Sequence, residues 1–138
     1  MANISKNSNI AKIPAKFDLD FFILWLSFLK PFHKLTNNEI KVLAAILLKR
    51  HELFRLVKDE HVLNNLLKST SIRREIRESI SMEVSQFNIS CTKLRKCSAL
   101  IDNAPNKRFI PNIEDGSNEY RLILIFDLNE QSKVNISK

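Results

Sequence analysis

Residues 69–101, STSIRREIRESISMEVSQFNISCTKLRKCSALI, decide how the chain is read. Ile72, Ile76 and Ile80 recur every four residues, with Arg73, Arg74, Glu75, Arg77 and Glu78 between them. That spacing predicts a short amphipathic helix over Ile72–Ser81 with one apolar edge, capped by Ser69, Thr70 or Ser71. Almost no linker follows. Val84, Phe87, Cys91 and Leu94 then repeat at steps of three, four and three, which at about 100° per residue puts them on one face. This predicts a second helix over Glu83–Cys97. Gln86, Ile89, Lys93 and Lys96 fall on the opposite face, flanked by Ser85 and Thr92.

Toward the C-terminus the pattern changes. Arg108–Ile113 (RFIPNI) and Glu119–Asp127 (EYRLILIFD) are short, branched and aromatic, and predict strands. Between them lies Asp115-Gly116, a dipeptide suited to a tight hairpin turn. Gly116 is the only glycine in the chain, placed where a positive φ is most useful. Residues 128–138 read as a polar tail.

Toward the N-terminus, residues 59–68 (DEHVLNNLLK) predict a helix capped by Asp59, with Val62, Leu63, Leu66 and Leu67 inward. Before it, Thr36 followed by Glu39 forms a capping box, with Leu35 as the staple residue. The run NNEIKVLAAILLKR places Ile40, Leu43, Ala44, Leu47 and Leu48 on one stripe, with Lys49, Arg50 and His51 at the helix C-terminus. This helix is the expected spine of the core. Asp18–Lys30 predicts a further helix, capped by Asp18 or Asp20 and ended by Pro31, with apolar residues on nearly every face. Residues 1–16 are polar and read as an arm. One domain over residues 17–127 follows, a helical core (17–68) joined to the helix pair and hairpin (69–127). The fold class is mainly α with a small C-terminal β-hairpin.

The chain has 138 residues, enough for one core. Its 44% apolar and 27% charged content is that of a folded globular protein. The net charge is +7, which favours a polyanionic partner. The excess peaks in residues 69–108, with eight basic against four acidic side chains, and reverses in residues 109–138, with three against five. The longest apolar run, Leu19–Leu29, is about half a bilayer span, so a membrane partner is not expected. His33, His51, His61, Cys91 and Cys97 make no zinc spacing. There is no glycine-rich phosphate loop and no nucleophile elbow. The expectation is therefore no enzyme, no cofactor and no metal.

Helix, short turn, helix and hairpin, in that order, resemble the winged helix-turn-helix superfamily. Ile72–Ser81 and Glu83–Cys97 would be the paired helices, the second being the recognition helix, and Arg108–Asp127 the wing. FNISCTKLRKCSALID (residues 87–102) resembles the end of a recognition helix in small regulators. LTNNEIKVLAAILL (residues 35–48) resembles the preceding core helix of multiple-antibiotic-resistance-type and replication-initiator winged helices. The resemblance implies a non-enzymatic, cytoplasmic protein that binds double-stranded DNA in transcription regulation or replication. Ser85, Gln86, Ile89, Thr92, Lys93 and Lys96 would face the bases. Arg73, Arg74, Arg77, Lys107 and Arg108 would hold phosphates. Such proteins commonly dimerise, and Phe21, Phe22, Trp25 and Phe28 on the apolar N-terminal helix are the candidate interface.

Each assignment has a plainer counterpart. The Arg and Glu residues of 73–78 also describe a solvated helix face. Lys93 and Lys96 also suit plain surface, and Ile89 suits core or a protein contact. Glu114, Asp115 and Glu119 make the expected wing tip acidic, which opposes insertion beside a phosphate backbone. The Asn, Ile and Lys bias and the small size resemble a tailed-phage gene product. The alternative function is thus a virion-associated structural or adaptor protein, using the same fold for protein contacts in a larger assembly.

Overall fold

A computed structural model describes residues 10–114 and 116–129 in full, with the backbone of residues 3–4. In chain order its elements are β1 (Asn3–Ile4), β2 (Ala11–Lys12), α1 (Leu19–Phe28), α2 (Lys30–His33), α3 (Asn37–Phe54), α4 (Glu60–Lys68), α5 (Thr70–Ser79), α6 (Val84–Lys96), β3 (Leu100–Ile101), β4 (Ala104–Pro105) and a 3-10 turn at Lys107–Phe109. The protein is mainly helical, and β3 and β4 form a small antiparallel sheet. Among the described residues no helix is long and apolar enough to cross a membrane.

The spine is α3. Glu39 N–H donates to Thr36 Oγ1 at 3.3 Å, and Thr36 N–H donates to Glu39 Oε1 at 3.2 Å, so both halves of the capping box form. Leu35 before the cap and Ile40 within the helix are both buried, as a hydrophobic staple requires. Val42, Ala45 and Ile46 are buried along with Ile40, Leu43, Ala44 and Leu47 of the expected stripe, while Leu48 is half-buried, because α3 is packed against α1, α4, α5 and α6 together. The helix runs to Phe54 rather than ending at His51. No glycine or proline interrupts residues 50–55, and half-buried Leu53 continues the apolar side.

The first helix buries Phe22, Trp25 and Leu26. Its cap is Asp18, whose Oδ1 accepts the Asp20 N–H at 2.9 Å. It ends at Phe28, and Pro31 opens α2 instead of merely ending α1, since a first helical turn has no need of proline's missing N–H. Phe22 and Trp25 are core residues, which corrects their assignment to a partner surface. Burial of such a ring stabilises the fold by roughly 1.5–3 kcal/mol. Phe21 is half-buried against Phe22 and Tyr120, and Phe28 remains exposed. His33 completes this corner: its Nδ1 accepts the Leu35 N–H at 2.9 Å, so Nε2 carries the proton donated to the Leu26 carbonyl at 2.7 Å.

The C-terminal strands expected at Arg108–Ile113 and Glu119–Asp127 do not form. The hairpin lies earlier, pairing Leu100 with Pro105 and Ile101 with Ala104. Its turn is Asp102-Asn103, with φ of 53° and 65°. Positive φ at both central residues is the signature of a type I′ turn, whose twist suits a two-residue hairpin. After it the chain packs back as an irregular strap. Phe109 and Pro111 are buried, Ile110 and Ile113 are half-buried, and proline breaks any ladder between them. Gly116 does take a positive φ, 77°, and the Ser117 N–H donates to the Glu114 carbonyl at 3.1 Å. That turn reverses the strap without pairing strands. The N-terminal arm likewise contains a short ladder, Asn3 opposite Lys12 and Ile4 opposite Ala11. Of the expected C-terminal tail, residues 130–138 lie outside the described residues.

Candidate nucleic-acid interface

Helices α5 and α6 are joined by a turn whose geometry is set by backbone bonds. The Met82 N–H donates to the Arg77 carbonyl at 3.2 Å and the Ser81 N–H to the Glu78 carbonyl at 3.0 Å. Ser81 sits at φ 51°. This is a Schellman ending with serine in the left-handed position that usually takes glycine. Buried Met82 and Ile76 supply the apolar pair that accompanies it. Arg77 Nη1 adds a bond to the Met82 carbonyl at 3.0 Å. Arg77 therefore braces the turn.

Phe87, Ser90, Cys91 and Leu94 form the buried face of α6. Val84 does not belong to it. It is 56% exposed, because the first turn projects past the packed surface, and Ser90 takes the inward place. Burial pushes the Cys91 thiol up, while neighbouring Arg73 draws it the other way. Opposite this face, Ser85, Ile89, Thr92 and Lys96 follow one another at helical spacing and are all exposed. Gln86 and Lys93 flank that stripe on one side and Asn88 and Arg95 on the other. Ile89 is 52% exposed. No Asp or Glu occurs in Val84–Lys96, which carries Lys93, Arg95 and Lys96 in its last turns.

The cations divide by what they touch. Arg73 lies over the Phe87 ring, 5.3 Å from its centroid, and is half-buried. It holds α5 against α6 more than it faces water. Arg74 is exposed, and among the described residues Arg74, Lys93 and Lys96 have no ion pair. Lys107 pairs with Glu60 on α4 at 3.5 Å and lines a hollow with Arg50 and His51 near the end of α3. Arg108 covers the Phe109 ring at 4.6 Å. Neither makes a hydrogen bond, ion pair or ring contact with α6 among the described residues; Lys107 is paired toward α4 and Arg108 lies against the strap.

Arg95 has a role that periodicity does not reveal. Its Nη1 donates to Asn103 Oδ1 at 2.7 Å and its Nη2 to Thr92 Oγ1 at 3.1 Å. Thr92 Oγ1 in turn donates to the Asn88 carbonyl at 2.9 Å. Lys68, at the end of α4, pairs with Asp102. The hairpin tip is thus clamped from two helices, and its one acidic side chain is neutralised. The signal available in the sequence was the Asp-Asn pair between two short apolar stretches, obscured because Ala99–Ile101 continues the apolar pattern of α6.

No family model, no curated protein and no solved structure matches this chain.

Proposed function

We propose that the chain is a non-enzymatic, winged-helix-type protein that binds double-stranded DNA, as a transcription regulator or replication accessory, with α6 in the major groove. The observation that supports this is the composition of one exposed face: a helix of 13 residues with three cations, no acid, and Lys93 and Lys96 without ion partners among the described residues. A helix about 10–12 Å across fits a groove about 12 Å wide. In this reading Gln86 pairs with adenine, Ile89 meets a thymine methyl, and Lys93, Lys96 and Arg74 reach phosphates or guanine. Arg73 and Arg77 act from behind, keeping α6 in position. The hairpin serves as a brace, since strands of two residues each extend only about 7 Å.

Fluorescence anisotropy with mixed-sequence duplexes tests the reading. Binding should weaken steeply with salt, since each neutralised phosphate adds about 0.9 to the logarithmic slope. Replacing Lys93 and Lys96 together by Ala should lower that slope by about 2 and leave the melting temperature unchanged. Absence of binding at about 20 mM salt sinks the proposal.

A second reading, a virion-associated adaptor, draws support from Ile89, an apolar residue in the middle of the outward face. Such a protein would co-sediment with a particle, and Ile89→Lys would release it while Lys93→Ala would not.

A further inference from the structure

The largest unexplained feature is the end of the strap. Leu122–Phe126 and Leu128 are all apolar and from 41% to 90% exposed. They belong to no helix or sheet, and among the described residues the backbone of 122–126 makes no hydrogen bond. The start of the segment is held in place. Tyr120 packs edge-on against Trp25, with ring centroids 5.3 Å apart, and against Phe21 at 5.9 Å. A β-prone stretch whose backbone is not paired within the chain, fixed at one end to a folded domain, has the form of an edge strand open to a partner strand.

We propose that this partner is the same segment of a second copy, paired antiparallel and centred on Leu124. The charge pattern selects this occupant and this register. Centring on Leu124 sets Arg121 opposite the partner's Asp127, and Asp127 opposite the partner's Arg121, closing the ladder with an ion pair at each end. Between them Ile123 faces the partner's Ile125, Leu122 faces the partner's Phe126, and Leu124 meets its own copy. A parallel arrangement sets Arg121 beside the partner's Arg121, and like charges directly opposed are unfavourable. Moving the centre one residue on sets Arg121 opposite Asn129 and Asp127 opposite Ile123, and moving it one residue back sets Arg121 opposite Ile125 and Asp127 opposite Glu119, so neither keeps the ion pairs. The present contact of Arg121, to Glu119 at 2.9 Å, is between two exposed side chains, and exposed pairs of this kind contribute little. Residues 122, 124, 126 and 128 share one side of such a strand, giving each two-stranded ribbon a wholly apolar face to fold against the domains. The arrangement is a closed two-fold dimer, independent of whether the protein binds DNA. It moves the expected self-association surface from α1 to the C-terminal strand.

Light scattering on the eluting full-length protein at about 50 µM should give twice the chain mass of 16.0 kDa. Leu124→Lys places two like charges on the two-fold axis and should give a monomer with an unchanged circular dichroism spectrum. Arg121→Asp should weaken the dimer about tenfold or more, and Arg121→Asp combined with Asp127→Arg should restore it to within about threefold. A wild-type protein that stays monomeric at this concentration overturns the proposal. So does a dimer indifferent to Leu124→Lys, a double reversal that fails to recover, or open-ended oligomers in place of a dimer.

Discussion

The indole nitrogen of Trp25 donates to the carbonyl oxygen of Phe109 at 2.8 Å, joining residues 84 positions apart. The bond is buried and ties α1 to the strap that follows the hairpin. Tyr120 then covers the same indole from the outside. Helix α1 and the strap at Phe109 and Tyr120 are therefore one packing unit around this buried polar contact.

Removing that donor leaves a buried carbonyl unsatisfied. Trp25→Phe should destabilise the protein by about 2–3 kcal/mol, combining the lost bond with the lost ring volume. Urea unfolding followed by circular dichroism checks this. Since Trp25 is the only tryptophan, its wild-type fluorescence should be blue-shifted when folded and move to the red in the same transition.

Ser81 holds a left-handed φ without being glycine. Ser81→Gly should raise stability by about 0.5–1 kcal/mol, because the side chain no longer crowds the backbone there. A thermal melt that shifts downward would show that the serine is needed for something other than the turn.

The arginines of α5 should separate cleanly. Arg77→Ala removes the bond to the Met82 carbonyl and should cost about 1–2 kcal/mol. Arg74→Ala should stay within about 0.5 kcal/mol of wild type while weakening binding to duplex DNA. Equal effects of the two substitutions on melting would contradict the division between brace and surface.

Cys91 is buried and Cys97 exposed. A thiol reagent should modify Cys97 in the native protein and reach Cys91 only on unfolding. Burial raises the Cys91 thiol in the folded state, so the unfolded state ionises first as pH climbs. The associated stability is complete below the ordinary thiol value of about 8.5 and is lost above it. Tyr120, also raised by burial, adds to the same trend at still higher pH. Melting temperature should thus fall as pH rises above about 8.5 in the wild type, and fall less steeply in Cys91→Ala.

Local signals were legible through most of the helical part, although Val62, expected inward on α4, is exposed. The capping box at Thr36 and Glu39, the Asp59 and Ser69 caps and the inward Phe87–Cys91–Leu94 face are interactions within a few residues, and such patterns depend on little beyond the chain itself. The outward set of α6 was legible for the same reason, because a helix that buries one face must expose the other. Val84 was misjudged because periodicity assigns an angle and takes no account of where the neighbouring surface ends.

Tertiary packing decided the rest. Arg108–Ile113 and Glu119–Asp127 have strand-like composition, and composition reports only a preference for an extended, half-buried chain. Whether such a stretch joins a ladder depends on a partner at the right distance. Here Phe109 and Tyr120 are taken by Trp25 instead, while the two positive-φ residues Asp102 and Asn103 close the hairpin at the tail of α6, clamped by Lys68 and Arg95. The helices and their outward cations were written in the amino-acid sequence because their bonds are local. The place of the hairpin, the burial of Phe22 and Trp25, and the division of arginines between brace and surface were decided only when distant segments met, because each depends on contacts between residues far apart in the chain.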